Sequence, residues 1–222
     1  MSCSDDENLS LSELGKKEYW DQFYTTELEN FDDFGEEGDI WFGRKNLERI
    51  VGWLIDNEID KSASILDAGC GNGMTLISLA KVGFENLTGI DYSIEAIELA
   101  KKVAERNKAE IKYWALDILQ PDPVFVKRLK EFHIIIDKGT YDAICLDREH
   151  IQEKREQYIQ AIQNLLSPMG YFIIFSCNWT KEELLLYFKD WTLHDEIKIP
   201  TINFGGKTGQ TVTALVLHKN KL

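Results

Sequence analysis

An α/β fold, a mostly parallel sheet with helices on both faces, is what this sequence predicts. Two observations carry that expectation. The short apolar runs SILDAG, NLTGID, IKYWAL, FHIIID and GYFIIFS alternate with stretches of helical periodicity, and strands buried on both faces read as near-continuous apolar runs. The last two runs, TLHDEIKI and TVTALVLHK, are joined by NFGGKTGQ rather than by a helix. So short a link predicts antiparallel pairing, a C-terminal hairpin.

The elements follow in order. Residues 1 to 14 are polar and acidic and read as a disordered tail. A short helix is expected from Lys16 to Leu28, carrying Tyr19, Trp20, Phe23 and Tyr24. FDDFGEEGDIWFG then reads as an ordered loop, because disordered acidic segments seldom carry so many aromatics. Leu47, Ile50, Val51, Leu54 and Ile55 fall at helical spacing. The first strand is followed by a helix over Asn72–Val82. Ser93 is placed to cap the helix after the second strand, which runs to about Asn107. Pro121 and Pro123 break the segment after the third strand. Tyr158, Ile159, Ile162, Leu165 and Leu166 form the next helical stripe. Thr180 and Glu183 form a capping box after the fifth strand. The chain reads as one domain over 15–222, with a helical lid and cap over 15–60 and a core over 61–222.

Composition narrows the function. The chain has 222 residues and a formal net charge of −13, which argues against phosphate-backbone binding as a main activity. Its four cysteines form no C-x-x-C pair and its four histidines are scattered. No metal site is expected, and the widely spaced thiols suit a reducing compartment, the cytoplasm or the nucleus. The N-terminus has no apolar h-region and no run is long enough to span a bilayer, so no membrane association is expected.

The chemistry is carried by glycines and acids. Gly69, Gly71 and Gly73 lie between the first strand and its helix, spaced G-x-G-x-G. A dinucleotide fingerprint needs its third glycine at position 74, which is Met74. The loop therefore suits a ligand without phosphates, approached closely by backbone. Asp67 precedes the loop. Asp91 ends the second strand, where a carboxylate can accept both hydroxyls of a ribose. Asp117 follows the third strand and can accept from an adenine amino group. Asp137 ends the fourth. Acids at these strand ends fall on the edge where open α/β sheets bind ligands. GGKTG is a decoy: a P-loop needs glycine at position 201, which is Thr201. It reads as a hairpin turn using Gly205, Gly206 and Gly209.

LDAGCGNG, GIDYS and ALDIL resemble the three cofactor motifs of class I S-adenosylmethionine-dependent methyltransferases. That resemblance implies a Rossmann-like, seven-stranded sheet and S-adenosyl-L-methionine as cofactor. It sets Gly69 and Gly71 against the methionine part, Asp91 on the ribose, and Asp117 with Ile118 around the adenine. Trp41, Asp67, Tyr92 and Asp137 complete the implied cofactor site. YWDQFYTTEL, GDIWFG, IDKGTYDAI and SCNWTKEEL look like the small eukaryotic protein-lysine methyltransferases that modify translation elongation factor 1-alpha, the methyltransferase-like 10 group. Asp-Lys-Gly-Thr in place of Asn-Pro-Pro-Tyr argues against methylation of nucleobase or glutamine amide nitrogens. The implied partner is therefore elongation factor 1-alpha, met by a monomer.

Methyl transfer needs a dry, oriented, neutral amine. Trp41, Phe42, Tyr141 and Trp179 are the expected aromatic wall, and such rings also hold a cationic product. The expected catalytic set is Asp137, Tyr141 and Trp179. Asp137 positions the amine without acting as its base, since a carboxylate stabilises the ammonium. Lys138 either pairs with an acid or touches the substrate surface. A small-molecule methyltransferase and a non-catalytic cofactor-binding scaffold are the competing readings.

Overall fold

The computed structural model describes residues 13–120, 131–147, 149–200, 202–204, 207–209 and 212–219. The apolar runs become β1 (Ser64–Ala68), β2 (Asn86–Asp91), β3 (Lys112–Ala115), β4 (Phe132–Lys138), β5 (Leu166–Ser176) and β6 (Trp191–Glu196). Three more strands follow: β7 (Ile202–Phe204), β8 (Lys207–Gly209) and β9 (Thr213–Lys219). Seven of them form one sheet in the order β3-β2-β1-β4-β5-β9-β6. The pairs from β3 across to β5 are parallel. β9 inserts between β5 and β6 and runs antiparallel to both, which realises the expected C-terminal hairpin. This is a Rossmann-like α/β sheet.

The helices are α1 (Lys17–Phe34), α2 (Gly43–Asp56), α3 (Met74–Lys81), α4 (Ile94–Arg106), α5 (Thr140–Leu146), α6 (Ile151–Leu165) and α7 (Lys181–Tyr187). The period-two alternation of β4 divides the core between the two faces. Ile134 and Ile136 pack with Leu47, Ile50, Leu54, Leu76 and Val103 on one face. Ile135 packs with Tyr141, Tyr158, Ile162 and Leu184 on the other. The caps fall where expected. Ser93 Oγ accepts the Ala96 N–H at 3.3 Å, and Thr180 with Glu183 closes a reciprocal capping box.

Several elements depart from the sequence reading. α1 continues past Leu28 to Phe34 before Gly35, at φ 71°, ends it. Docking on α4 supports the extra turns: Lys102 pairs with Asp32 at 2.6 Å, and the Arg106 guanidinium lies 5.9 Å from the Phe31 ring centroid. Part of the expected loop is therefore helix. Leu166 opens β5 instead of closing the α6 stripe. α5 is a seven-residue helix that the apolar periodicity does not announce; Asp137 accepts the Thr140 and Tyr141 N–H groups, both at 2.9 Å, at its start. Around GGKTG, β7 and β8 pair as a small hairpin with Phe204 opposite Lys207, and Gly209 sits in the ladder opposite Ile202 rather than in the turn. Gly205 and Gly206 lie outside the described residues, as do positions 1–12 of the tail and the segment with Pro121 and Pro123.

Candidate active site

A cavity of about 390 Å³ lies at the C-terminal ends of β1, β2, β4 and β5. This is in the size range of small-molecule sites, about 300–1,000 Å³. Its base is the glycine loop after β1. The Gly69 and Cys70 N–H groups both donate to the Ile90 carbonyl, at 2.8 and 2.9 Å, which pins the loop to the end of β2. Gly69 and Gly71 have φ of 76° and 51°, a region that favours glycine. A Cβ at Gly69 would stand 1.9 Å from Thr140 Oγ1, and one at Gly71 would stand 2.4 Å from the Tyr24 hydroxyl. What the loop touches first is thus the chain itself: α5 on one side and α1 on the other.

Asp91 locks this arrangement. Its Oδ2 accepts the Gly71 N–H at 3.0 Å and its Oδ1 accepts the Ser93 N–H at 3.0 Å. Each oxygen keeps a further lone pair, and the residue lines the cavity. Burial, partly offset by those donors, pushes its carboxyl up to about 6. Tyr92 lines the same end, with the Lys17 ammonium 5.0 Å from its ring centroid. Asp117 is exposed and spends Oδ1 on the Leu119 N–H at 2.9 Å, while its neighbour Ile118 is buried; both line the cavity.

α1 and the chain after it close the top. Trp41 lines the cavity, with its Nε1 buried and unpartnered among the described residues. Its ring meets Trp20 at 4.9 Å and Phe23 at 6.0 Å. Phe42, at φ 64°, starts α2 and packs where a Cβ on Gly139 would fall, 2.6 Å away. Asn72, which the sequence reading passed over, ties this roof to the glycine loop. Its Nδ2 donates to the Glu37 and Asp39 carbonyls at 2.9 and 3.0 Å.

Four expected site residues stand behind the wall. Asp67 is 1% exposed, and neither of its oxygens meets a donor in hydrogen-bonding geometry. Burial pushes its carboxyl up to about 7, against the pull of the Lys138 ammonium. Asp137 is fully buried, holding the Thr140 and Tyr141 N–H groups and the Tyr158 hydroxyl. Its carboxyl is also pushed up to about 7, chiefly by burial. Tyr141 packs in the core between Tyr158 and Phe188, with ring centroids at 5.6 and 5.3 Å. Trp179 carries the Arg155 guanidinium 4.8 Å from its ring centroid and meets Tyr187 edge-on at 5.2 Å. Of the expected aromatic wall, Trp41 and Phe42 line the cavity, and Trp20, Tyr24 and Tyr92 join them in place of Tyr141 and Trp179. Lys138 and Asp142, both inside IDKGTYDAI, do reach the cavity. Burial pulls the Lys138 ammonium down, while Asp67 and Asp137 oppose that shift.

The methyltransferase-domain family matches residues 59–214. The chain belongs to that family. As a methyltransferase it is similar to "EEF1A lysine methyltransferase 2" of Danio rerio, at 44% identity over 99% of this chain and 93% of the relative. It is similar to the Homo sapiens protein of the same name, at 44% identity over 94% of this chain and 87% of the relative. Its fold resembles an S-adenosylmethionine-dependent methyltransferase from Clostridium acetobutylicum, with a TM-score of 0.64 at 13% identity, over 89% of this chain and 99% of that one. The residues fit the cofactor of such a methyltransferase. The glycine loop brings backbone to the cavity base, Asp91 keeps lone pairs for hydroxyl donors, and Ile118 and Trp41 add apolar lining. Among the described residues no group of three or more His, Cys, Asp or Glu can hold a metal ion, and no helix is long and apolar enough to cross a membrane.

Proposed function

We propose that this methyltransferase transfers methyl groups from S-adenosylmethionine to a lysine side chain of translation elongation factor 1-alpha. What carries the reading is near full-length similarity, at 44% identity, to proteins named for that activity. S-adenosylmethionine, when bound, supplies a methyl group on a sulfonium, whose sulfur–carbon bond breaks as the nitrogen–carbon bond forms and leaves a thioether. The chain's own residues bind, orient and dry the site. Asp91 would take the ribose hydroxyls, and Asp117 with Ile118 would frame the adenine. Gly69 and Gly71 would face the methionine part, and Tyr92 and Trp41 would cover it. Asp67 and Asp137 would act from behind the wall. Asp137 holds the start of α5 and so fixes Lys138 and Asp142 at the cavity.

Residues 15–60 would serve as a lid and cap on the core of 61–222, because Lys17, Trp20, Tyr24 and Trp41 line the cavity from that segment. The lid is strongly acidic in sequence, which would speed encounter with a basic partner and make the rate fall as salt rises. The reading takes the chain as a cytoplasmic monomer. A small-molecule methyltransferase or a cofactor-binding scaffold would leave the relatives' shared name without an explanation.

The test incubates the purified chain with labelled S-adenosylmethionine and folded elongation factor 1-alpha, then maps the label by mass spectrometry. Methyl-lysine on the factor is the expected result. No label on the factor, with cofactor binding intact, would reject this substrate.

A further inference from the structure

Asp142 is a buried carboxylate on the cavity wall with no ion-pair partner among the described residues. It stands in the first turn of α5, is 4% exposed, and lines the cavity. Its partners come from the end of β5. The Ser176 hydroxyl donates to Oδ1 at 2.6 Å, and the Cys177 N–H and thiol donate to Oδ2 at 2.7 and 3.3 Å. All are neutral donors, and they fix both oxygens in place.

The described cations of this neighbourhood are engaged elsewhere. Lys154 pairs with Asp147. The Arg155 Nε donates to Cys145 Sγ at 3.2 Å, and its guanidinium lies over Trp179 and Tyr187. Lys138 answers to Asp67 and Asp137. No ion pair among the described residues includes Asp142. A buried carboxylate in that state gains most from a cation brought to it. Burial pushes its carboxyl up, and the Ser176, Cys177 and Asn178 donors offset that only in part.

Position supplies the rest. Asp91 and Asp117 mark the cavity end over β2 and β3, whereas Asp142, Cys177 and Asn178 mark the end over β4 and β5. Trp41, Phe42 and Ile144 line the cavity as well, and apolar wall suits the four-carbon stem of a lysine whose charged tip needs a partner. Asp137, the acid that the sequence offers for this role, is fully buried and does not line the cavity.

We propose that Asp142 receives the acceptor: its carboxylate draws in the side-chain ammonium of the incoming lysine and, once that ammonium has released one proton to solvent water, accepts an N–H of the neutral amine, which sets the nitrogen at the β4–β5 end of the cavity with its lone pair free. The proposal rests on the lysine methyltransferase reading. Ser176 and the Cys177 backbone hold the carboxylate in the orientation the amine meets.

The test uses the full chain with folded elongation factor 1-alpha. Wild-type activity on the factor comes first; its absence overturns the underlying reading and this proposal together. Asp142→Asn then removes the charge while keeping shape and an acceptor oxygen. S-adenosylmethionine affinity, read by calorimetry, should stay within about twofold of wild type, while KM for the factor rises at least about tenfold and kcat/KM falls about a hundredfold. A KM for the factor within about threefold of wild type overturns the proposal and leaves the methyltransferase reading standing. Loss of cofactor affinity together with activity also overturns it, since Asp142 would then serve the cofactor end. Should the variant fail to fold, n-butylammonium with wild type carries the test at matched ionic strength. Competition against the factor but not against S-adenosylmethionine supports the proposal, and no competition against the factor overturns it.

Discussion

Asp91 and Asp137 end neighbouring parts of one sheet, are both buried, and both accept backbone N–H groups, yet they stand in different places. The donors to Asp91, Gly71 and Ser93, leave it on the cavity wall. The donors to Asp137 are the first N–H groups of α5, and the Tyr158 hydroxyl closes the remaining side. An acid at a strand end is therefore one signal with two outcomes. It stays on the cavity wall where the following loop opens, and becomes a helix-starting staple where a third donor arrives from a distant helix. The cavity inherits this contrast: its β2–β3 end offers Asp91 itself, and its β4–β5 end offers Asp142, which Asp137 helps to place.

The largest effect should come from the staple. Asp137→Ala leaves the Thr140 and Tyr141 N–H groups and the Tyr158 hydroxyl without their acceptor. Stability should fall by about 3–5 kcal/mol, read as a lower urea midpoint. An unchanged midpoint would show that Asp137 is not structural and reopen a direct role.

Next is a pH dependence. Burial raises the Asp67 and Asp137 carboxyls to about 7. The native state then keeps protons that the unfolded chain loses between about pH 4 and 7, so these two groups make stability fall as pH rises through that window and level off above it. At Asp67 burial outweighs the pull of the Lys138 ammonium and the Thr75 hydroxyl, so Asp67→Asn should be more stable than the parent at pH 8, by about 1–4 kcal/mol, and equal to it near pH 4. Parallel stability profiles for the two proteins would remove Asp67 from this account.

Asp91→Ala comes third. It should weaken S-adenosylmethionine binding by about 1–3 kcal/mol, measured by calorimetry, with most of the stability retained. Unchanged affinity would take Asp91 out of the cofactor end. The smallest effect is expected from Trp179→Ala: turnover on the factor within about threefold of wild type, because the ring holds Arg155 behind the wall. A loss above about tenfold would return Trp179 to the acceptor site.

The strands, the caps at Ser93 and Thr180, and the acids that line the β2–β3 end of the cavity were legible because they rest on short-range patterns. Alternating apolar runs, a cap three residues before its donor, and a glycine loop one strand away from Asp91 are all local in the fold. The β4–β5 end was not. Seven residues of α5 are too few to show a helical stripe, so Asp142 had no face assigned to it. Tyr141 and Trp179 look like cavity aromatics in sequence, but Phe188 and Arg155, from other parts of the fold, decide which way those rings face. The glycine spacing signals a close approach without saying by what. That Tyr24 and Thr140 make that approach depends on α1 and α5 folding back over the loop.

The central claim is that one cavity has a cofactor end at Asp91 and an acceptor end at Asp142. A crystal structure with S-adenosylhomocysteine tests it most directly. The account predicts ribose hydroxyls on Asp91, adenine beside Asp117 and Ile118, and the thioether sulfur directed toward Asp142. Density for the nucleoside at the Asp142 end, or outside this cavity, would contradict it.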